Sequence, residues 1–177
     1  RKRPTLSALS TFSTCISRVR NPGLADRLAL AKPAIVVAST QFDKAARVHA
    51  LHSIATHDVV APDITVSEME KVYTQRMAKN GSPGRETYDE ILASAPGGRC
   101  PLCMQRSAAT LDHHLPKAHY PALAVAPLNL IPACSDCNKA KLDAVPVVAE
   151  EVPLHPYYDD LRNEVWLTAT VVERHPT

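Results

Sequence analysis

The chain has little net charge, no long apolar run and no internal repeat, and each absence excludes a class of protein. A formal charge of +2 over 177 residues is too small for bulk attraction to a polyanion, so nucleic-acid binding would need a local cluster of charge. The longest apolar runs are far too short to span a membrane. Arg1, Lys2 and Arg3 precede Leu6, but Ser and Thr interrupt the residues after it, so the stretch of about 7 to 15 apolar residues that makes a signal-peptide core is missing. The expected compartment is the cytoplasm. Apolar residues at 45% and charged residues at 21% match globular usage and exclude wholesale disorder or a fibre. A chain of this length makes one sizeable domain, or a small catalytic module wrapped by a helical one, without help from disulfides.

Charge is distributed more informatively than it sums. Between Arg99 and Lys141, the basic residues Arg99, Arg106, Lys117, Lys139 and Lys141 face only Asp112 and Asp136. From Leu142 onward the balance reverses, with Arg162 and Arg174 against Asp143, Glu150, Glu151, Asp159, Asp160, Glu164 and Glu173.

Four of the five cysteines fall in two identical spacings, Cys100-Pro-Leu-Cys103 and Cys134-Ser-Asp-Cys137. A short Cys-x-x-Cys pair can turn both sulfurs toward one ion, and two such pairs complete the closed tetrahedral four-thiolate shell of a structural zinc site. Such a shell keeps no open position for chemistry. A disulfide or a redox pair is the alternative for each motif, and two copies in a chain expected in the cytoplasm favour zinc. Four thiolates around one divalent ion cancel the small formal excess of positive charge. The gap between the two pairs exceeds the roughly 15 to 20 residues of ordinary four-cysteine sites, so an insertion with its own role is expected there. Cys15, far from both pairs, is expected in the core.

That insertion reads Leu111-Asp112-His113-His114-Leu115-Pro116-Lys117, then Leu128-Asn129-Leu130-Ile131-Pro132-Ala133-Cys134, then Cys137-Asn138-Lys139-Ala140-Lys141. The combination of Asp-His before Leu-Pro, an Asn within an apolar strand, and Cys-x-x-Cys-Asn opening a helix resembles the HNH endonuclease family. The match covers about a quarter of the chain, from Cys100 to Leu142. The resemblance implies a ββα-metal module over 96–145 around the four-cysteine zinc site; with the mainly helical region over 1–95 and the short C-terminal extension over 146–177 that local patterns give, the expected fold is α+β.

By the same resemblance His113 is the general base, suited by the imidazole reference pKa of about 6.5 to take a proton from water near neutrality. On that value the rate is expected to fall as pH drops through the imidazole pKa. Asp112 and Asn138 offer hard oxygen ligands for a catalytic Mg2+ or Mn2+. Asn129 corresponds to the family's middle Asn, which orients the base through hydrogen bonds in its loop, and Lys141 is a candidate phosphate contact. His114 is expected on the other side of the strand from His113 and outside catalysis. Two function classes remain open at this point: a metal-dependent endonuclease acting on DNA, double-stranded DNA first of all, or a catalytically silent zinc-stabilised module for nucleic-acid or protein binding. Leu-Pro-Lys-Ala-His-Tyr-Pro and the later His155-Pro-Tyr-Tyr-Asp159 resemble HNH proteins of bacterial defence loci. Some of those act beside an ATPase, so an ATPase subunit or a second copy of the chain is an expected partner.

Local patterns predict the rest. Leu6, Leu9, Phe12 and Ile16 recur at helical spacing from Thr5 to Val19, with Pro22-Gly23 as the stop. A second helix is expected from about Asp43 to Ala55. A third is expected from Ser67, capped by the Ser67 and Glu70 box. Asn80-Gly81 ends that helix, and Ser82-Pro83 opens another carrying Tyr88, Ile91 and Leu92. Strands are expected at Ala109 to Asp112 and Leu128 to Ile131, a helix near Cys134, and a terminal strand over Val165 to Val172. Lys71, Arg76, Lys79 and Arg85 are candidates for a phosphate-binding track.

Overall fold

The computed structural model describes residues 3–160 and Thr170. The expected terminal strand, Thr170 apart, lies outside the described residues. Helices dominate the first half: α1 (Ala8–Ile16), α2 (Pro22–Leu30), α3 (Lys32–Arg47), α4 (Val66–Arg76) and α5 (Arg85–Ala93). A two-residue ladder pairs β1 (Val59–Val60) with β2 (Ile64–Thr65). In the second half an antiparallel hairpin of β3 (Thr110–His113) and β4 (Leu130–Ala133) is followed by α6 (Ser135–Lys141). The fold is thus mixed α and β. Among the described residues no helix is long and apolar enough to cross a membrane.

The helix boundaries depart from the sequence expectations in informative ways. Pro22 does not end α1 but begins α2, where a missing N–H costs nothing, and Asn21 caps it by accepting from Leu24 N at 3.0 Å. The helix expected from Asp43 instead ends near there: α3 starts eleven residues earlier, with Pro33 in its first turn. The capping box forms two residues ahead of the expected one. Thr65 Oγ1 accepts from Glu68 N and Glu68 accepts from Thr65 N, while the Glu68 carboxylate also pairs with Arg27 of α2. That second partner favours Glu68 over Glu70, which faces Lys117 instead. Before α5 the chain passes Gly84, where a Cβ would lie 2.5 Å from Cys15 Sγ and 2.9 Å from Arg76 O. Only glycine lets α1 and α4 close on that turn.

One buried cluster joins both halves. Phe12, Phe42, Met69, Met77 and Ile91 from the helices pack with Leu111, Leu123 and Leu130 from the hairpin and its loop. The loop between β3 and β4 is buried from Pro121 to Pro127, held by tight 3-10 turns at Pro121–Leu123 and Pro127–Asn129. The second turn delays β4 by two residues from its expected start, because Leu128 and Asn129 are still within the turn. The hairpin is therefore set rigidly on a helical base, which fixes where its polar residues point.

Candidate metal centre and hairpin site

The four paired cysteines converge. Their sulfurs all lie within 4.8 Å of one another, and Cys103 Sγ is 3.9 Å from Cys134 Sγ. A Zn–S bond of about 2.3 Å gives a tetrahedral sulfur–sulfur edge of about 3.8 Å, so the spacing fits a single tetrahedral ion. Backbone geometry makes each half. Cys100 N donates to Arg106 O at 2.8 Å, Met104 N to Cys100 O at 2.7 Å, and Gly97, Gly98 and Met104 take positive φ to form the first turn. Cys134 caps α6, its sulfur accepting from Cys137 N. Backbone amides of Arg106 and Gln105 pull the Cys103 thiol down to about 6, whereas burial and the neighbouring sulfurs push Cys137 up. Ionising all four sulfurs together requires a cation between them. Cys15 is fully buried away from this cluster, and burial raises its thiol to about 12, as suits a core residue.

The hairpin carries the second group. In β3, Asp112 pairs in register with Ile131 and His113 with Leu130. Asp112 is 5% exposed, and burial lifts its carboxyl to about 6 against the opposing pull of Lys141. Lys141 Nζ lies 3.8 Å from Asp112 Oδ2 and donates to His113 O, so the end of α6 borders both residues. Asn138 lies one turn earlier on the same face of α6. Its backbone N donates to Cys134 O, and its side chain makes no hydrogen bond among the described residues. The helix that presents Asn138 thus starts at the cysteine cluster.

His113 is held by one nitrogen. Its Nε2 is 2.8 Å from Ala124 O, a bond that requires the proton on Nε2 and leaves Nδ1 as the acceptor. Nδ1 makes no hydrogen bond among the described residues. The Tyr73 ring of α4 meets the imidazole edge-on at 4.4 Å, and the Tyr73 hydroxyl donates to Leu111 O at 3.3 Å. Burial, with smaller contributions from Tyr88 and the Asp112 charge, raises the Tyr73 hydroxyl pKa. Asn129 is fully buried; its side chain accepts from Leu115 N at 2.7 Å and donates to Leu115 O and Leu123 O. It braces the loop that presents the Ala124 carbonyl to His113.

His114 turns away from this group and stacks on His155 at 4.2 Å, with its Nε2 buried and unpartnered. Half of the expected phosphate track is engaged: Arg85 pairs with Asp89 and donates to Ala78 O, and Arg76 donates to Arg18 O, while Lys71 and Lys79 are exposed. Tyr73 and the Ala124 carbonyl escaped sequence reasoning. A tyrosine at a helical core position carries no mark of touching a base, and a backbone carbonyl has no sequence signature.

Burial also moves the pH behaviour. It holds His113 and His155 down to about 3, and His114 well below its ordinary value. For stability the sign is clear. Below about 6.5 the unfolded chain takes up a proton at each of these histidines and the folded chain does not, so stability is lost as pH falls from 6.5 toward 3. Asp112 acts in the opposite direction between about 3.8 and 6, because its folded pKa is raised. Melts of wild type and His155→Gln at pH 7, 6 and 5 isolate one of the protons. The stability gap should shift in the variant's favour by about 1.4 kcal/mol per pH unit below 6; a gap independent of pH would show that His155 is charged in the fold.

Comparison with known proteins gives little beyond this geometry. No family model matches the chain, and no solved structure matches it. Protein ea31 of Escherichia phage lambda is 35% identical over 129 residues, covering 71% of this chain and 43% of its own length. The chain therefore spans less than half the length of that curated relative.

Proposed function

We propose that the chain is a metal-dependent endonuclease of the HNH class that hydrolyses phosphodiester bonds in DNA. The observation that carries the reading is the state of His113: its Nε2 is pinned to Ala124 O, its Nδ1 makes no bond among the described residues, and Lys141 meets both its backbone carbonyl and the Asp112 carboxylate. A neutral imidazole with one nitrogen fixed and the other free is a ready proton acceptor for an attacking water. Asp112 and Asn138 would hold Mg2+ or Mn2+, hard cations that favour oxygen donors. Such an ion supplies Lewis-acid stabilisation of charge on the phosphoryl oxygens and the departing oxygen. Asn129 orients the base by bracing its loop. Lys141 brings a positive charge beside Asp112, suited to a phosphate oxygen once substrate is present. Zinc in the four-cysteine cluster would anchor the start of α6 and with it Asn138. A role in a defence system, with an ATPase subunit or a second copy of the chain as partner, rests on the sequence resemblance.

The competing reading is a zinc-stabilised binding module without activity. It draws on the Lys141–Asp112 ion pair, which gives the carboxylate a partner without a metal ion. Plasmid cleavage separates the two. With Mg2+ or Mn2+ present the protein should nick or cut DNA, and EDTA at a concentration that leaves the zinc in place should stop it. Cleavage that survives removal of the weakly held cation would break the separation into two metal sites. Binding of DNA or RNA with no cleavage under any divalent ion would favour the silent module.

A further inference from the structure

A two-stranded hairpin has two open edges, and the outer edge of β4 is buried. The carbonyls of Leu128 and Leu130 flank Asn129 on that edge and would each cost stability if left unpaired. Among the described residues no third strand covers them. Instead His155 Nε2 donates to Leu128 O at 3.1 Å, and the Tyr157 hydroxyl donates to Leu130 O at 2.9 Å. The two side chains come from one short turn, in which Tyr157 N donates to His155 Nδ1 and Asp159 accepts from His155 N. Both nitrogens of His155 are thereby committed, and the ring is 3% exposed. The turn is fastened in its own right: the Tyr158 hydroxyl donates to Asp43 of α3 at 2.8 Å, and Arg3 donates to Tyr157 O while lying over the Tyr158 ring at 4.0 Å.

We infer that His155 and Tyr157 are positioning residues of the hairpin site: their side chains replace a missing third strand and fix the Leu128–Leu130 backbone, and through it Asn129 and the loop that orients His113. The chain of contact is short. Asn129 O accepts from His114 N at 2.8 Å, the Asn129 side chain fixes Leu115 and Leu123, and the turn after Leu123 carries the Ala124 carbonyl that holds His113. Losing a hydrogen bond to either flanking carbonyl would let Asn129 shift, with no change at any group that touches substrate. A displacement of about 1 Å at a reacting group can cost on the order of 100-fold in rate, so a loosened brace should register in turnover before it registers in binding.

The inference rests on the nuclease reading for its effect on rate, but not for its effect on Asn129. Tyr157→Phe removes one hydroxyl and keeps the ring. In the zinc-loaded protein it should speed hydrogen exchange of the Asn129 side-chain amide and the Leu115 backbone amide at least tenfold in 1H–15N spectra. On a DNA substrate with Mg2+ it should lower kcat about tenfold while KM stays within twofold. His155→Gln, which can still donate to Leu128 O, should recover most of what His155→Ala loses in both measurements. Unchanged exchange at Asn129 and Leu115 in folded Tyr157→Phe overturns the inference, as does a change in KM alone. If wild type cleaves nothing while the exchange still rises in the variant, the brace stands and the nuclease reading is the one that fails.

Discussion

His113→Ala should lose at least two decades of phosphodiester cleavage while keeping its zinc. A positioned general base contributes about 10²- to 10⁴-fold, and among the described residues no other imidazole reaches the same place. His114 is directed to His155 on the far side, so His114→Ala should lose much less. The substitution is not silent for stability, because the imidazole is buried and its removal leaves the Ala124 carbonyl without its donor. That orphaned group costs roughly 1–3 kcal/mol, so rates belong at a temperature where both proteins are folded. The diagnostic pattern is a fall in kcat at unchanged zinc content, with the DNA affinity of the Mg2+-loaded protein preserved. A His113→Ala protein that cuts as fast as wild type removes His113 from the chemistry.

The candidate site was more legible in the sequence than the fold around it, and the reason is physical. Metal and acid-base chemistry demand particular residue types at tight spacing, so Cys100, Cys103, Cys134 and Cys137 could be paired by inspection, and the structure brings their sulfurs together. Asp112, His113 and Asn129 likewise sit on or beside the hairpin expected of them. Helix boundaries depend on weaker preferences that tertiary partners override. Glu68 rather than Glu70 completes the capping box because Arg27 is there to share it. Pro22 could be read as a stop or a start, and only Asn21 bonding Leu24 N decides it. Braces such as Tyr73 against His113, or Tyr157 on Leu130 O, join residues far apart in sequence through contacts that leave no periodic trace.

Cys134→Ser should be the most disruptive single change, because it removes one of the four sulfurs of the metal cluster. Its sulfur closes the four-thiolate cluster and also caps α6, accepting from Cys137 N. Serine keeps a capping oxygen, so the cap survives and the loss isolates the metal. Structural zinc sites contribute apparent binding free energies of about 10–16 kcal/mol, against a domain stability of only about 5–15 kcal/mol. Even a partial loss of that term should unfold the segment from Arg99 to Lys141. Phe12, Leu28, Phe42, Met69 and Ile91 of the helices α1 to α5 belong to one core, so the helical region should retain part of its circular dichroism while Lys141 leaves Asp112. Zinc should fall from about one per chain to a small fraction, and cleavage should vanish with it. Well-folded wild-type protein without bound zinc, or a Cys134→Ser protein with an unchanged melt, would remove the cluster from the folding argument and leave α6 without its anchor.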